Sequence, residues 1–128
     1  MEHLIKRLED LQPRPSLEGF GHHGGFTYDL FNTTTVGSEA LRLTVQVYRP
    51  GGYTEGHPIH TDREQAYYII SGTMTLTLND KTYTVPAGSF VFLPRGVEHN
   101  HRNDGEEALV ILTVNCPVRS GEVPPMPA

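Results

Sequence analysis

The run Gly88-Ser89-Phe90-Val91-Phe92-Leu93-Pro94-Arg95-Gly96-Val97-Glu98-His99-Asn100-His101-Arg102-Asn103 decides how this chain is read. Ser89 to Leu93 is a short apolar segment bracketed by two turn signals, Pro86-Ala87-Gly88 and Pro94-Arg95-Gly96. A segment that short, closed at both ends by Pro and Gly, reads as a strand and not as a helix. Glu98 to Asn103 continues as a second extended piece, and Asp104-Gly105 turns the chain again. His99 therefore stands just past a tight turn, at the start of a strand.

The same punctuation extends in both directions. Upstream, Gly25 to Phe31 reads as extended. Leu41, Leu43, Val45 and Val47 alternate with Arg42, Thr44, Gln46 and Tyr48, the period-2 pattern of a half-buried strand, which Pro50-Gly51-Gly52 is expected to end. Ala66 to Ser71 is β-branched and aromatic up to Gly72. Met74, Leu76 and Leu78 alternate with threonines, and Asn79-Asp80 reads as the turn of a hairpin whose second strand is Lys81 to Val85. Downstream, Leu109 to Val114 is the last strand. Thirteen glycines and ten prolines supply these breaks. About nine short strands at such spacing predict an all-β sandwich or barrel.

Two segments lie outside that pattern. Leu4, Ile5, Leu8 and Leu11 fall on one helical face, so a short N-terminal helix is expected before Pro13 and Pro15, packed on the barrel or on a partner subunit. The expected organisation is an N-terminal helix and arm over 1–24, a barrel over 25–117, and a Pro-rich tail over 118–128. With 128 residues, one domain is the natural expectation. The net charge of −5 excludes a basic nucleic-acid footprint, and no apolar run reaches membrane-spanning length. Met1 to Leu11 is charged and lacks the apolar core of a secretory signal, and the single Cys116 allows no internal disulfide. A soluble cytoplasmic protein is expected. Asn32-Thr33-Thr34 matches a glycosylation sequon but reads as an ordinary turn.

Chemistry concentrates in histidines on two distant stretches, His57 and His60 in one and His99 and His101 in the other. Imidazoles converging from separate strands are a means by which β-barrels build open metal sites. The opening run resembles the second motif of the cupin family, G-x5-P-x-G-x2-H-x3-N, at Gly88, Pro94, Gly96, His99 and Asn103. The stretch ending at Gly72 is similar to the first cupin motif, G-x5-H-x-H-x3-4-E-x6-G. It departs at two places: Gln65 stands at the glutamate position, and Pro58 stands at the first histidine position with His57 displaced by one. The resemblance spans roughly Leu41 to Pro117. It implies a double-stranded β-helix of the cupin or jelly-roll type, RmlC-like, and a metal bound by His60 and His99. His57 and Gln65 complete the implied ligand set, His57 through a one-residue bulge. Glu64 rivals Gln65, because neighbours on a strand face opposite sides and only one can line the interior. Tyr67 shares a face with Gln65, and His101 with His99. Tyr67 is a candidate to touch the metal or substrate, and His101 a candidate general base. His22-His23, flanked by glycines, reads as a loop able to cover the barrel mouth, and His3 as solvent-exposed.

A His57, His60, Gln65, His99 set is wholly neutral, so a divalent ion there would keep its full charge. Burying that charge is costly, which favours a small anionic or readily deprotonated ligand. Imidazole-rich donors suit Fe(II), Ni, Cu and Zn more than Mg or Ca, and affinity order does not select among them; Fe(II) is the first expectation, with Ni, Zn, Mn or Cu also compatible. The resemblance implies a metal-dependent enzyme, with dioxygenase-like oxidation first, non-redox isomerase, lyase or cyclase chemistry second, and a non-catalytic small-molecule-binding module third. It also implies a homodimer.

Overall fold

The computed structural model describes residues 1–16, 21–56 and 59–117. His57 and the tail 118–128 lie outside the described residues. Nine strands form one curled sheet: β1 (Arg14–Pro15), β2 (His22–Phe31), β3 (Arg42–Thr54), β4 (Arg63–Ser71), β5 (Thr73–Leu78), β6 (Lys81–Pro86), β7 (Phe90–Leu93), β8 (His99–Arg102) and β9 (Leu109–Pro117). The order is β6-β5-β8-β3-β9-β4-β7, with β2 on β3 and β1 on β2. Every pairing is antiparallel. No helix among the described residues is long and apolar enough to cross a membrane.

Pro50-Gly51-Gly52 does not end β3, as the sequence suggested. It is a corner. Before it, Arg42 to Tyr48 pairs with β9; beyond it, Tyr53 pairs with Arg102 of β8. Gly51 takes φ 84, which an L side chain resists, and the strand bends there to join both halves of the sheet. The corner is held by the residue that follows the neighbouring strand β8. Gly51 N–H donates to the Asn103 carbonyl and Asn103 N–H to the Gly52 carbonyl, both at 2.8 Å. The buried Asn103 amide also donates to the carbonyls of Tyr48 (3.0 Å) and Glu107 (2.8 Å) and accepts from Gly105 N–H (3.0 Å).

The barrel interior is divided along its length. Tyr48, Ile69, Met74, Leu76, Leu93, Leu109 and Ile111 form an apolar floor. Along the same inward rows, β9 continues with Thr113 and Asn115, β4 with Tyr67 and Gln65, and β3 with Gln46 and Thr44. The alternation in β3 is therefore inverted relative to a strand over a plain core: its polar row lines the cavity, and Leu43, Val45 and Val47 lie on the other face, where Val45 is itself buried. In β5 the apolar row, Met74 and Leu76, is buried as its pattern suggests.

The first eleven residues are helical only as two 3-10 turns, Glu2–Leu4 and Leu8–Asp10, separated by extended backbone at Ile5 and Arg7. Leu4, Ile5 and Leu8 stay exposed, and a segment of that length without a buried stripe lacks the packing that sustains an α-helix. The sequon is a helix start and not a plain turn. The Asn32 side chain accepts from Thr34 and Thr35 N–H, capping the one-turn helix α1 (Thr33–Val36).

Replacing Asn103 with Ala strips partners from two carbonyls and one N–H at the corner. It is expected to lower stability by about 2–3 kcal/mol in denaturant melts; an unchanged midpoint would contradict this account of the corner.

Candidate metal centre

Two backbone segments bring the histidines together. The Pro94-Arg95-Gly96 turn donates Gly96 N–H to the carbonyl of His60 at 2.8 Å, which clamps the loop before β4 to the turn before β8. His60 and His99 consequently line one cavity of about 350 Å³, with ring centroids 6.0 Å apart. An ion-to-nitrogen bond of about 2.0–2.1 Å places each ligating ring centroid about 3 Å from the ion, so this separation lets both rings face a common cation. His99 Nδ1 lies 3.3 Å from the Val97 carbonyl, which can only accept. Nδ1 thus carries the proton, and Nε2 is the basic nitrogen.

Gln65 is buried and lines the cavity, whereas Glu64 is exposed, paired in register with Cys116. Gln65 Nε2 donates to Asn115 Oδ1 at 2.7 Å, which fixes the amide and leaves Oε1 as its acceptor end. Tyr67 is buried over the floor, edge-on to His99 and to His101. Burial pushes its phenol well above the ordinary value, so it presents an O–H. His101 is buried and lines the cavity, with its backbone N–H bonded to Thr54 Oγ1 at 3.0 Å. Among the described residues no three His, Cys, Asp or Glu side chains form a metal-holding group. His57 is outside them.

His22 and His23 are not a loop but the first residues of β2, where they pair with Thr54 and Tyr53. Gly24, at φ 69, serves a register shift within the strand. His22 lines the cavity, and its Nδ1 lies 2.8 Å from the Tyr48 hydroxyl. Burial, with the nearby Tyr67 adding to it, pushes the Tyr48 phenol upward. The sequence reading also passed over Arg42 and Arg14, which line the cavity on the side of β3 and β1. Arg14 binds Asp29 in bidentate fashion, at 2.6 and 3.0 Å. The hydrogen bond from Arg14 holds the Asp29 carboxyl below its usual value against the opposing effect of burial, with the charges of Arg14 and Arg42 helping. The inward polar row of β3 was the available signal for Arg42; the sequence points to His22 at the barrel mouth, but in a covering loop and not on a strand.

The model of the cupin domain matches residues 44–115, more than half of the chain. This protein belongs to the cupin family. The chain is 30% identical over 83 residues to protein SchB of Streptomyces halstedii, covering 65% of this chain and 59% of SchB. It is 25% identical over 107 residues to the polyketide synthase CurC of Streptomyces cyaneus, covering 84% of this chain and 67% of CurC. The crystal structure of the polyketide cyclase RemF from Streptomyces resistomycificus superposes with a TM-score of 0.75 at 26% identity, covering 90% of this chain and 80% of that one. The chain thus spans about three fifths to two thirds of these curated sequences.

The Arg14–Asp29 pair carries a pH signature. A carboxyl held below its ordinary value of 3.8 stabilises the fold above that value, and this contribution is lost as the pH falls through the lowered one. Asp29→Asn is expected to flatten the fall in melting temperature below about pH 4 and to cost about 1 kcal/mol or less at neutral pH. An acid limb identical to that of the parent protein would contradict this.

Proposed function

We propose that this cupin is a cytoplasmic, metal-dependent homodimer acting on a small anionic, enolisable molecule. The observation that carries the reading is the convergence of His60 and His99 on one cavity, with the Gln65 amide beside them. A divalent transition ion, Fe(II) first, suits two imidazoles and an amide oxygen, with His57 as a fourth donor. Such an ion supplies Lewis-acid polarisation of a ligand oxygen. Tyr67 would donate its O–H to the carbonyl oxygen of the bound molecule, and the His101 imidazole would take up the proton that enolisation releases. Every proposed protein ligand is neutral, so the ion's charge is balanced by an anionic ligand.

The name of the polyketide cyclase RemF supports non-redox cyclase, isomerase or lyase chemistry as the first reading. Dioxygenase-like oxidation is the second, favoured by the imidazole-rich donors. Oxygen consumption during turnover of an enolisable diketone separates the two, and saturable binding without turnover would leave a binding module. In elemental analysis after loading with Zn(II) or Fe(II), the parent protein is expected to retain close to one equivalent. His60→Ala and His99→Ala are each expected to retain less than about a tenth. Unchanged uptake in both variants would sink the metal reading.

The homodimer rests on the outer face of β7, β4 and β9. Phe90 and Phe92 are 82% and 59% exposed, beside Ile70 at 44%. Phe90 packs against Tyr68, with ring centroids 4.8 Å apart. Two-fold packing of this face buries both phenylalanines of each copy at the centre of an interface, which for a stable pair needs about 800 Å² per partner. Light scattering is expected to give a dimer, and Phe90→Ser with Phe92→Ser a folded monomer. A parent monomer, or a dimer indifferent to both changes, would overturn the assignment.

A further inference from the structure

We propose that Arg42 anchors a carboxylate at the end of the cavity away from the floor, so that the molecule held there is a small carboxylic acid. This deepens the function proposed above, since it supplies a second pole for the same ligand.

The charge around the cavity is lopsided. The described lining residues include three arginines, Arg14, Arg42 and Arg63, and no aspartate or glutamate. The chain as a whole carries −5, so the cavity is a positive spot on an acidic protein, an arrangement that concentrates field on anions. The three arginines differ in what they have left to offer. Arg14 is bound on two nitrogens by Asp29. Arg63 is bound by its neighbour Asp62, at 3.0 and 3.2 Å. Among the described residues no carboxylate lies within ion-pairing distance of Arg42, which acts on Asp29 only through space. Arg42 is exposed, in register with Asn115, and leads the inward polar row that continues with Thr44.

Beside Arg42 the cavity wall carries neutral donors and acceptors, and the nearby Asp29 carboxylate, which feels the charge of Arg42, is bonded to Arg14. Asn115 is tied to Gln65, and Thr113 Oγ1 lies 3.4 Å from Gln46 Oε1. A guanidinium with its planar fork uncommitted matches a carboxylate through two parallel hydrogen bonds. A phosphate dianion calls for more positive charge than one uncommitted arginine, because Asp29 and Asp62 offset the other two. The volume, about 350 Å³, sits at the small end of ligand pockets, which run from about 300 to 1,000 Å³. A compact acid with an enolisable carbonyl at its other end suits both poles.

The test is calorimetric titration of the full chain, with and without Zn(II), using 4-oxopentanoate, its methyl ester and inorganic phosphate. The parent protein is expected to bind the acid at least about tenfold more tightly than the ester. Arg42→Gln removes that preference while Zn(II) content and melting temperature stay unchanged, and Arg42→Lys keeps part of it. Equal affinity for acid and ester, no saturable binding of the acid, or a preference that survives in Arg42→Gln overturns the proposal. Phosphate binding more tightly than the acid, with loss in Arg42→Gln, also overturns it in favour of a phosphate ester. Should the parent protein take up no Zn(II), the metal reading fails on its own, and the acid-to-ester ratio of the metal-free protein still decides the role of Arg42.

Discussion

The geometry of this molecule hangs on one backbone hydrogen bond, from Gly96 N–H to the carbonyl of His60. The two histidine stretches are separated by four strands, of which only β5 and β6 form a hairpin, and neither has an intrinsic reason to meet the other. The bond ties the loop entering β4 to the turn entering β8. Because an amide donor withheld from water must find an acceptor, the Pro94-Arg95-Gly96 turn cannot relax away from that loop without cost. The glycine matters because its φ of 81 aims the N–H inward. The Asn103 clamp plays the matching part at the far side, fixing the corner where β3 changes partners.

Much of this architecture could be read from punctuation. The turns at Asn79-Asp80, Pro86-Ala87-Gly88 and Pro94-Arg95-Gly96 all separate strands, and Asn79 takes the positive φ, 51, that its hairpin needs. What failed was local reading where tertiary contacts decide. Pro50-Gly51-Gly52 is composed like a terminator, yet Asn103 turns it into a bend within a continuous strand. The Met1 to Leu11 face has helical spacing, but nothing in the described chain buries it, and spacing without burial yields only single turns.

The site was legible where residue identity is dictated by backbone constraint or spacing. His99 follows a turn whose glycine takes a positive φ, and the count back from Gly72 favours Gln65, which is buried in the cavity wall while Glu64 is exposed. That His22 belongs to a strand was not legible, because its place depends on β2 pairing with the far end of β3. Arg42 was missed for a different reason. Hydrophobic alternation marks a strand but does not say which row faces inward, and in β3 the row that looked like solvent contact lines the cavity.

That inversion separates foundation from furnishing. The floor of aliphatic and aromatic side chains packs the two halves of the sheet together, while the rows of β3, β4 and β9 above it carry mostly polar side chains that line the cavity. A lineage could therefore exchange Arg42, Thr44 or Thr113 and acquire a new clientele of small molecules without re-solving the folding problem. Such latitude gives one scaffold a ready route to chemical diversification, and it explains how cavities of unlike character can rest on the same stonework.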